Sequence, residues 1–318
     1  MMESNALIWF AAGALLIVVA ALALLRRPGL RRYIPFYQHA RFLFLYLMGR
    51  HPALPFGQLY RGCFAQGDQD RARDAVARRS KLLETDARGF QLWEIPAGRF
   101  WIPPGASPVF LFGVFAEQDR DVYGMGGFGV RAGDVVVDCG ANVGAFVHKA
   151  LQAGARLVVA VEIAPQTAEC LRRSFAREVE SGQVVVYPKG MWHQEDSLQL
   201  RVHPDNSGEN TVVMALKGGT QGPVVPLTTL DNMVRELGLE KVDFIKMDIE
   251  GAEQNALRGG ARTLARFHPR LALTCYHLAE DIVRIPEIAR AAWPEYRIAC
   301  GPCGVADRHI RPDILYFS

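Results

Sequence analysis

Ten residues, Val135-Val-Val-Asp-Cys-Gly-Ala-Asn-Val-Gly144, restrict the possible folds more than any other part of the chain. Three β-branched residues run into an acid, two glycines follow, and Ala145 to Leu151 reads as a helix. A short continuous apolar run suits a strand buried on both faces of a parallel sheet. The glycines allow a sharp turn and let a ligand approach the backbone. The next helix then directs its N-terminal amides at that ligand. The stretch therefore predicts a nucleotide-type loop.

The chain after Asp134 repeats the same grammar. Strand Val135–Cys139 precedes helix Ala145–Ala153, and strand Leu157–Glu162 precedes helix Pro165–Glu180. Strand Val184–Tyr187 leads to a polar, hairpin-like insertion, His193–Pro226, with Asn206, Ser207, Gly208 and Asn210 at turn positions. A helix over Thr229–Leu237 is capped by Thr228 or Thr229. Strand Asp243–Asp248 leads into helix Ala252–Arg266, and strand Arg270–Tyr276 into helix Pro286–Trp293. Tyr296–Ala299 and Asp313–Phe317 are the last strands, and the final one should enter antiparallel. Such alternation predicts an α/β domain with a mostly parallel sheet. Upstream, Asp70–Glu84 is compatible with a helix, Gln91–Ile102 with a strand or hairpin, and Pro108–Asp121 with a short helix carrying Glu117.

The N-terminus has a different character. Ala6–Leu25 contains no charge and no proline, and Arg26, Arg27, Arg31 and Arg32 follow it. At about 1.5 Å per residue this block reaches across a hydrocarbon core of roughly 30 Å. The basic residues lie after the apolar block and no small-residue cleavage site is evident, so a retained single-pass anchor is expected rather than a cleaved leader. The arginines then stay in the cytoplasm with the C-terminal body, beneath the inner membrane. Tyr33–Met48 is compatible with a helix packed on the body or with an interfacial segment. These features divide the chain into an anchor and basic flank (1–32), a juxtamembrane lead-in (33–115) and a catalytic domain (116–318).

A net charge of +3 is too small to argue for a nucleic-acid partner. The six cysteines of a cytosolic body should be reduced. Cys300-Gly-Pro-Cys303 has the form of a redox tetrapeptide, but its place between two C-terminal strands favours a turn. No ligand spacing points to zinc, and no bound metal is expected.

A dinucleotide loop needs three glycines in the pattern Gly-x-Gly-x-x-Gly. Here the pattern is Asp138-x-Gly140-x-Asn142-x-Gly144. An acid before the first glycine repels a pyrophosphate and suits a cationic ligand. Glu162, at the end of the second strand, is placed to accept ribose hydroxyls. Adenine, ribose and a cationic amino-acid tail together describe S-adenosylmethionine. These residues, with Phe244-Ile-Lys-Met-Asp-Ile-Glu-Gly-Ala-Glu253, resemble the FkbM family of S-adenosylmethionine-dependent methyltransferases over roughly Glu117 to Ser318. The second motif, Lys246-x-Asp248-x-Glu250-Gly251-x-Glu253, is the more specific.

The resemblance implies a Rossmann-like seven-stranded methyltransferase fold and mostly O-methylation, commonly of sugar hydroxyls. It implies that Asp138, Gly140, Ala141, Asn142 and Gly144 line the methionine end and that Glu162 and Ile163 hold the ribose. Gly190, Met191 and Trp192 then fall near adenine, and Asp248 beside the reacting methyl group. A sugar hydroxyl must lose its proton around the transition state. His277, Asp248 and Glu250 are the candidate bases, and His277 is favoured by its ordinary pKa. The family often places an acid two residues before this histidine, where this chain has Cys275. The expected acceptor is a lipid-linked or membrane-proximal glycan or glycolipid. A methyltransferase for another small-molecule or lipid hydroxyl, a dinucleotide oxidoreductase, and a tethered non-catalytic nucleotide-binding protein are the rival readings.

Overall fold

The computed structural model describes residues 34–64, 69–203, 206–216, 218–306 and 308–318. Three helices come first: α1 (Ile34–Leu47), α2 (Phe56–Phe64) and α3 (Gln69–Arg78). An antiparallel sheet follows, of β1 (Lys81–Thr85), β2 (Gln91–Ile95) and β3 (Gly98–Ile102). Helix α4 (Pro108–Asp119) begins where the Ser107 hydroxyl accepts the Val109 amide and Pro108 presets the first turn.

The alternating part runs β4 (Val135–Cys139), α5 (Ala145–Gln152), β5 (Leu157–Val161), α6 (Pro165–Ser174), α7 (Ala176–Glu180) and β6 (Val184–Tyr187). The insertion holds β7 (Gly190–Met191), β8 (Asp196–Val202) and β9 (Thr220–Thr228), a small sheet in which β8 and β9 form the expected antiparallel hairpin. Then come α8 (Leu230–Glu236), β10 (Phe244–Met247), α9 (Glu253–Gly259), α10 (Ala261–Phe267), β11 (Arg270–Thr274) and α11 (Asp281–Ala292). The chain closes with β12 (Ile298–Cys300), the hairpin β13 (Cys303–Ala306) and β14 (His309–Pro312), and β15 (Ile314–Phe317).

Seven strands form one sheet in the order β12-β15-β11-β10-β4-β5-β6, with β15 antiparallel to both of its neighbours. This is the expected seven-stranded α/β fold with a mostly parallel central sheet. Side chains of β4 alternate between two apolar layers. Val136 joins Phe146, Val158 and Phe244 on one face, while Val137 joins Val159, Ile245 and Leu273 on the other. Both faces are covered, which accounts for the unbroken apolar run in the sequence.

Several expectations are corrected. The helix expected over Pro165–Glu180 breaks at Phe175, whose ψ of 34° leaves the helical region. The helix expected over Ala252–Arg266 divides at Gly259–Gly260, where a Cβ on Gly259 would meet the Trp192 carbonyl at 2.0 Å. Pro286 lies inside α11 rather than starting it. Strand β1 occupies the end of the stretch read as helix, and its side chains are exposed, so burial periodicity gave no signal. The Cys300–Cys303 turn leads into the extra hairpin β13–β14 before the last strand.

Among the described residues, no helix is long and apolar enough to cross a membrane. The expected anchor, Ala6–Leu25, and its arginine flank lie outside them. Helix α1 packs on the body, with Phe42 and Leu45 buried against Leu59 and Ile310.

Strands β4 and β10 are tied by more than their ladder. Asp138 and Lys246 are register partners, and Lys246 Nζ lies 3.1 Å from Asp138 Oδ1. Their side chains are 0% and 5% exposed, respectively. The ammonium also donates to the Gly140 carbonyl at 2.8 Å. Burial opposes its charge, but Asp138 and Asp248 hold its pKa above the ordinary lysine value. Removing one partner strands the other charge in the core. Lys246→Met alone should therefore cost about 3–5 kcal/mol of stability in chemical denaturation. The double change Lys246→Met with Asp138→Leu should recover most of that loss, and equal losses in the single and double variants would contradict this account.

Candidate active site

A cavity of about 330 Å³ opens beyond the carboxyl ends of β4, β5 and β10. Ligands of open α/β sheets lie in this position. One wall is the loop after β4. Gly140 has φ +81°, and a Cβ there would sit 1.9 Å from the Asp248 carbonyl oxygen, so only glycine lets the two strand ends approach. The Gly140 and Ala141 amides both donate to the Val161 carbonyl, and Asn142 adopts φ +48°.

The Asn142 amide donates to Glu162 Oε2 and the Ala164 amide to Glu162 Oε1, each at 2.8 Å. The carboxyl group is thus fixed at the end of β5 on the cavity wall. Burial pushes its pKa up to about 7, against the pull of those two amides and of Lys246, while Asp138 adds to the rise.

Gly140, Ala141, Asn142, Glu162, Ile163, Gly190, Met191, Asp248 and Glu250 all face the cavity. Three other expected cofactor residues do not line it. Asp138 is fully buried beneath the loop and is turned to Lys246. Gly144 faces α6, where a Cβ would meet the Phe175 ring at 2.2 Å, so its role is helix packing. The Trp192 carbonyl abuts Gly259.

The second motif forms the opposite wall. Asp248 follows β10 and its Oδ2 accepts the Tyr123 hydroxyl at 2.7 Å. Glu250 has φ +53°, and its carbonyl accepts the Thr211 hydroxyl at 2.8 Å from the insertion. Glu253 is completely buried and organises the turn. Its carboxylate accepts the Ile249 and Gly251 amides, at 2.9 and 3.1 Å, and the Thr274 hydroxyl at 3.1 Å. His277 Nδ1 lies 3.0 Å from the same carboxylate.

His277, the base that the sequence favours, does not line the cavity. Its side chain is 3% exposed and sits behind Asp248 and Glu250, off the cavity wall. Burial disfavours its charge, but contact with Glu250, Glu253 and Asp248 outweighs this and raises its pKa to about 11. While no other cation lies among these acids the imidazole keeps its second proton, and it then has no free nitrogen with which to collect another.

Sequence reasoning assigned no site role to several other side chains that line the cavity. Glu117 of α4 lines the cavity, and burial together with the Asp248 charge pushes its pKa up to about 7. Tyr123, Lys246 and Tyr276 line the same space. An acid in the otherwise apolar stretch Phe110–Gln118 was the available signal for Glu117. Nothing local marked Tyr123 or Tyr276, which reach the site from separate loops.

The methyltransferase FkbM domain matches residues 138–292. Methyltransferase sdnD of Sordaria araneosa is 28% identical over 153 residues, covering 39% of this chain and 59% of the relative. Methyltransferase 1 of Beauveria bassiana is 27% identical over 143 residues, covering 39% and 57%. The matched region thus spans less than two thirds of these relatives' length. The crystal structure of methyltransferase FkbM from Methylobacillus flagellatus is 18% identical, with a TM-score of 0.46, covering 79% of this chain and 59% of the other.

The Glu162 carboxyl group provides a test by pH. A ribose hydroxyl donates more strongly to a carboxylate than to a neutral acid. Binding of an adenosyl ligand should therefore lower the Glu162 pKa, and affinity should rise as pH passes upward through about 7. Calorimetry with S-adenosylhomocysteine should show this slope, and Glu162→Gln should flatten it. A slope that survives in the glutamine variant would assign it to another group.

Proposed function

We propose that this chain, whose residues 138–292 match the methyltransferase FkbM domain, methylates an acceptor hydroxyl with S-adenosylmethionine. One observation carries this reading: a glycine loop and the oriented Glu162 carboxyl lie at one end of a cavity whose other end is lined by Glu117, Asp248 and Glu250. The first set suits a ribose and its amino-acid tail, and the second suits a hydroxyl that must lose a proton. When bound, S-adenosylmethionine supplies an electrophilic methyl group and leaves as a neutral thioether.

The residues of this chain then have three tasks. The loop Gly140–Asn142 and Glu162 fix the donor's position, since in-line displacement depends on alignment. Asp248, held by Tyr123, positions the acceptor. Glu117 takes the hydroxyl proton as the oxygen–carbon bond forms, and the carbon–sulfur electron pair goes to sulfur.

The proposed acceptor is a sugar hydroxyl on a lipid-linked or membrane-proximal glycan or glycolipid, reached from the cytoplasmic side. The apolar block Ala6–Leu25 and the arginines after it support this placement. Leu43, Leu47, Met48 and Phe56 add to that support, being exposed around the first two helices. A confined acceptor meets the site at a raised effective concentration.

Membranes incubated with methyl-labelled S-adenosylmethionine should transfer label to a glycolipid or lipid-linked glycan. Glu117→Gln should lower turnover by roughly 10²–10⁴-fold with little change in donor affinity. Near-normal turnover in that variant would remove Glu117 as the base. Deleting residues 1–32 should leave donor affinity intact and reduce methylation in cells, and unchanged cellular methylation would overturn the membrane acceptor.

A further inference from the structure

We propose that Asp248, Glu250 and His277 hold a divalent transition-metal ion in the wall of the cavity. One ligand atom from each lies within 4.8 Å of the others. His277 Nε2 is 3.4 Å from Glu250 Oε2 and 3.6 Å from Asp248 Oδ1. Ligand atoms bound at about 2.0–2.2 Å around one tetrahedral ion stand about 3.3–3.6 Å apart. The two nitrogen–oxygen edges therefore already have the spacing of a coordination sphere.

The hydrogen bonds point the same way. Asp248 Oδ1 and His277 Nε2 are buried without a hydrogen-bond partner, while the other polar atom of each side chain is satisfied. Glu253 accepts two backbone amides and a hydroxyl, so it is a pure acceptor towards His277. The proton between them belongs on Nδ1, so an ion that displaces the second ring proton takes the Nε2 lone pair, which faces two carboxylate oxygens. Three electron-rich atoms converging on one point repel each other unless a cation lies among them. A carboxylate on the far ring nitrogen and a hydroxyl on the ligating carboxylate are also what metal-bound histidines and acids recurrently have.

Imidazole with two carboxylates suits manganese, iron or zinc better than magnesium, which prefers oxygen alone. Asp248 and Glu250 face the cavity, so positions left open on the ion would face it too. There the ion would lower the pKa of a coordinated acceptor hydroxyl. That use rests on the methyl-transfer reading, whereas the metal site itself does not.

Full-length protein, stripped of metal by dialysis against a chelator, is titrated with manganese(II) and followed by electron paramagnetic resonance without any methyl donor. One ion per chain should bind at micromolar concentrations, and zinc should compete for it. Glu250→Gln and Asp248→Asn should each weaken binding at least tenfold, while His193→Ala should not. Calorimetry with S-adenosylhomocysteine on each variant confirms that it is folded and tests the donor site separately. Binding of manganese without any donor affinity would uphold the metal site and sink the methyl-transfer reading. Donor affinity without stoichiometric manganese or zinc binding would sink the metal site alone and leave a proton as the shared cation. Binding that is unchanged in both acid variants would place the ion elsewhere and also overturn the assignment.

Discussion

The ammonium of Lys246 sits where the two central strands end, and the cavity wall depends on it. It neutralises Asp138 in the core and holds the loop in place by donating to the Gly140 carbonyl. The same loop passes so close to the Asp248 backbone that no side chain fits at Gly140. Charge and van der Waals contact thus set one distance together. That distance fixes how the donor-side loop faces the acid-bearing turn. A buried pair of this kind is weak evidence for stability, since desolvation offsets much of its attraction. Its clearer effect is positional: an unpaired Asp138 or Lys246 would have no other place in an apolar layer.

The motif from Lys246 to Glu253 divides its acids by direction. Lys246 turns to Asp138 and the Gly140 carbonyl at the cavity wall, while Asp248 and Glu250 face the cavity itself. Glu253 turns inward again and collects amides, a hydroxyl and a histidine. The left-handed backbone at Glu250 and Gly251 makes this reversal possible. Such strain is characteristic of functional turns, where surrounding bonds hold it in place. Here the Thr211 hydroxyl supplies one such bond from the insertion. The small sheet of the insertion therefore helps to shape the site as well as to cover it.

The chain before β4 completes the opposite side. Helix α4 brings Glu117, and the loop after it brings Tyr123. Helices α1 and α2 instead pack on the C-terminal hairpin through Phe42, Leu59, Cys300 and Ile310. The redox-like tetrapeptide thus serves as a packing surface and turn. Its cysteines are buried, and contact with the neighbouring thiols of Cys300 and Cys63, together with burial, raises the Cys303 pKa far above the ordinary range. This is the opposite of what a reactive thiolate needs.

Much of the architecture was legible in the amino-acid order. Continuous β-branched runs and glycine turns are local signals, and they determined the parallel sheet, the loop after β4 and the place of Glu162. Breaks at Phe175 and Gly259 were not legible, because helix continuity there is decided by what packs against it. The same limit applies to the site. Sequence spacing marks a residue as near a strand end, but not which way its side chain turns. Asp138, Gly144 and His277 occupy the expected positions along the chain and still face away from the cavity. Glu117, Tyr123 and Tyr276 reach it from distant segments. Direction depends on the partner each side chain finds across the fold: Lys246 for Asp138, the Phe175 ring for Gly144, Glu253 for His277. Those partners are far apart in the chain, so only tertiary packing could decide which acids meet a ligand and which hold the structure.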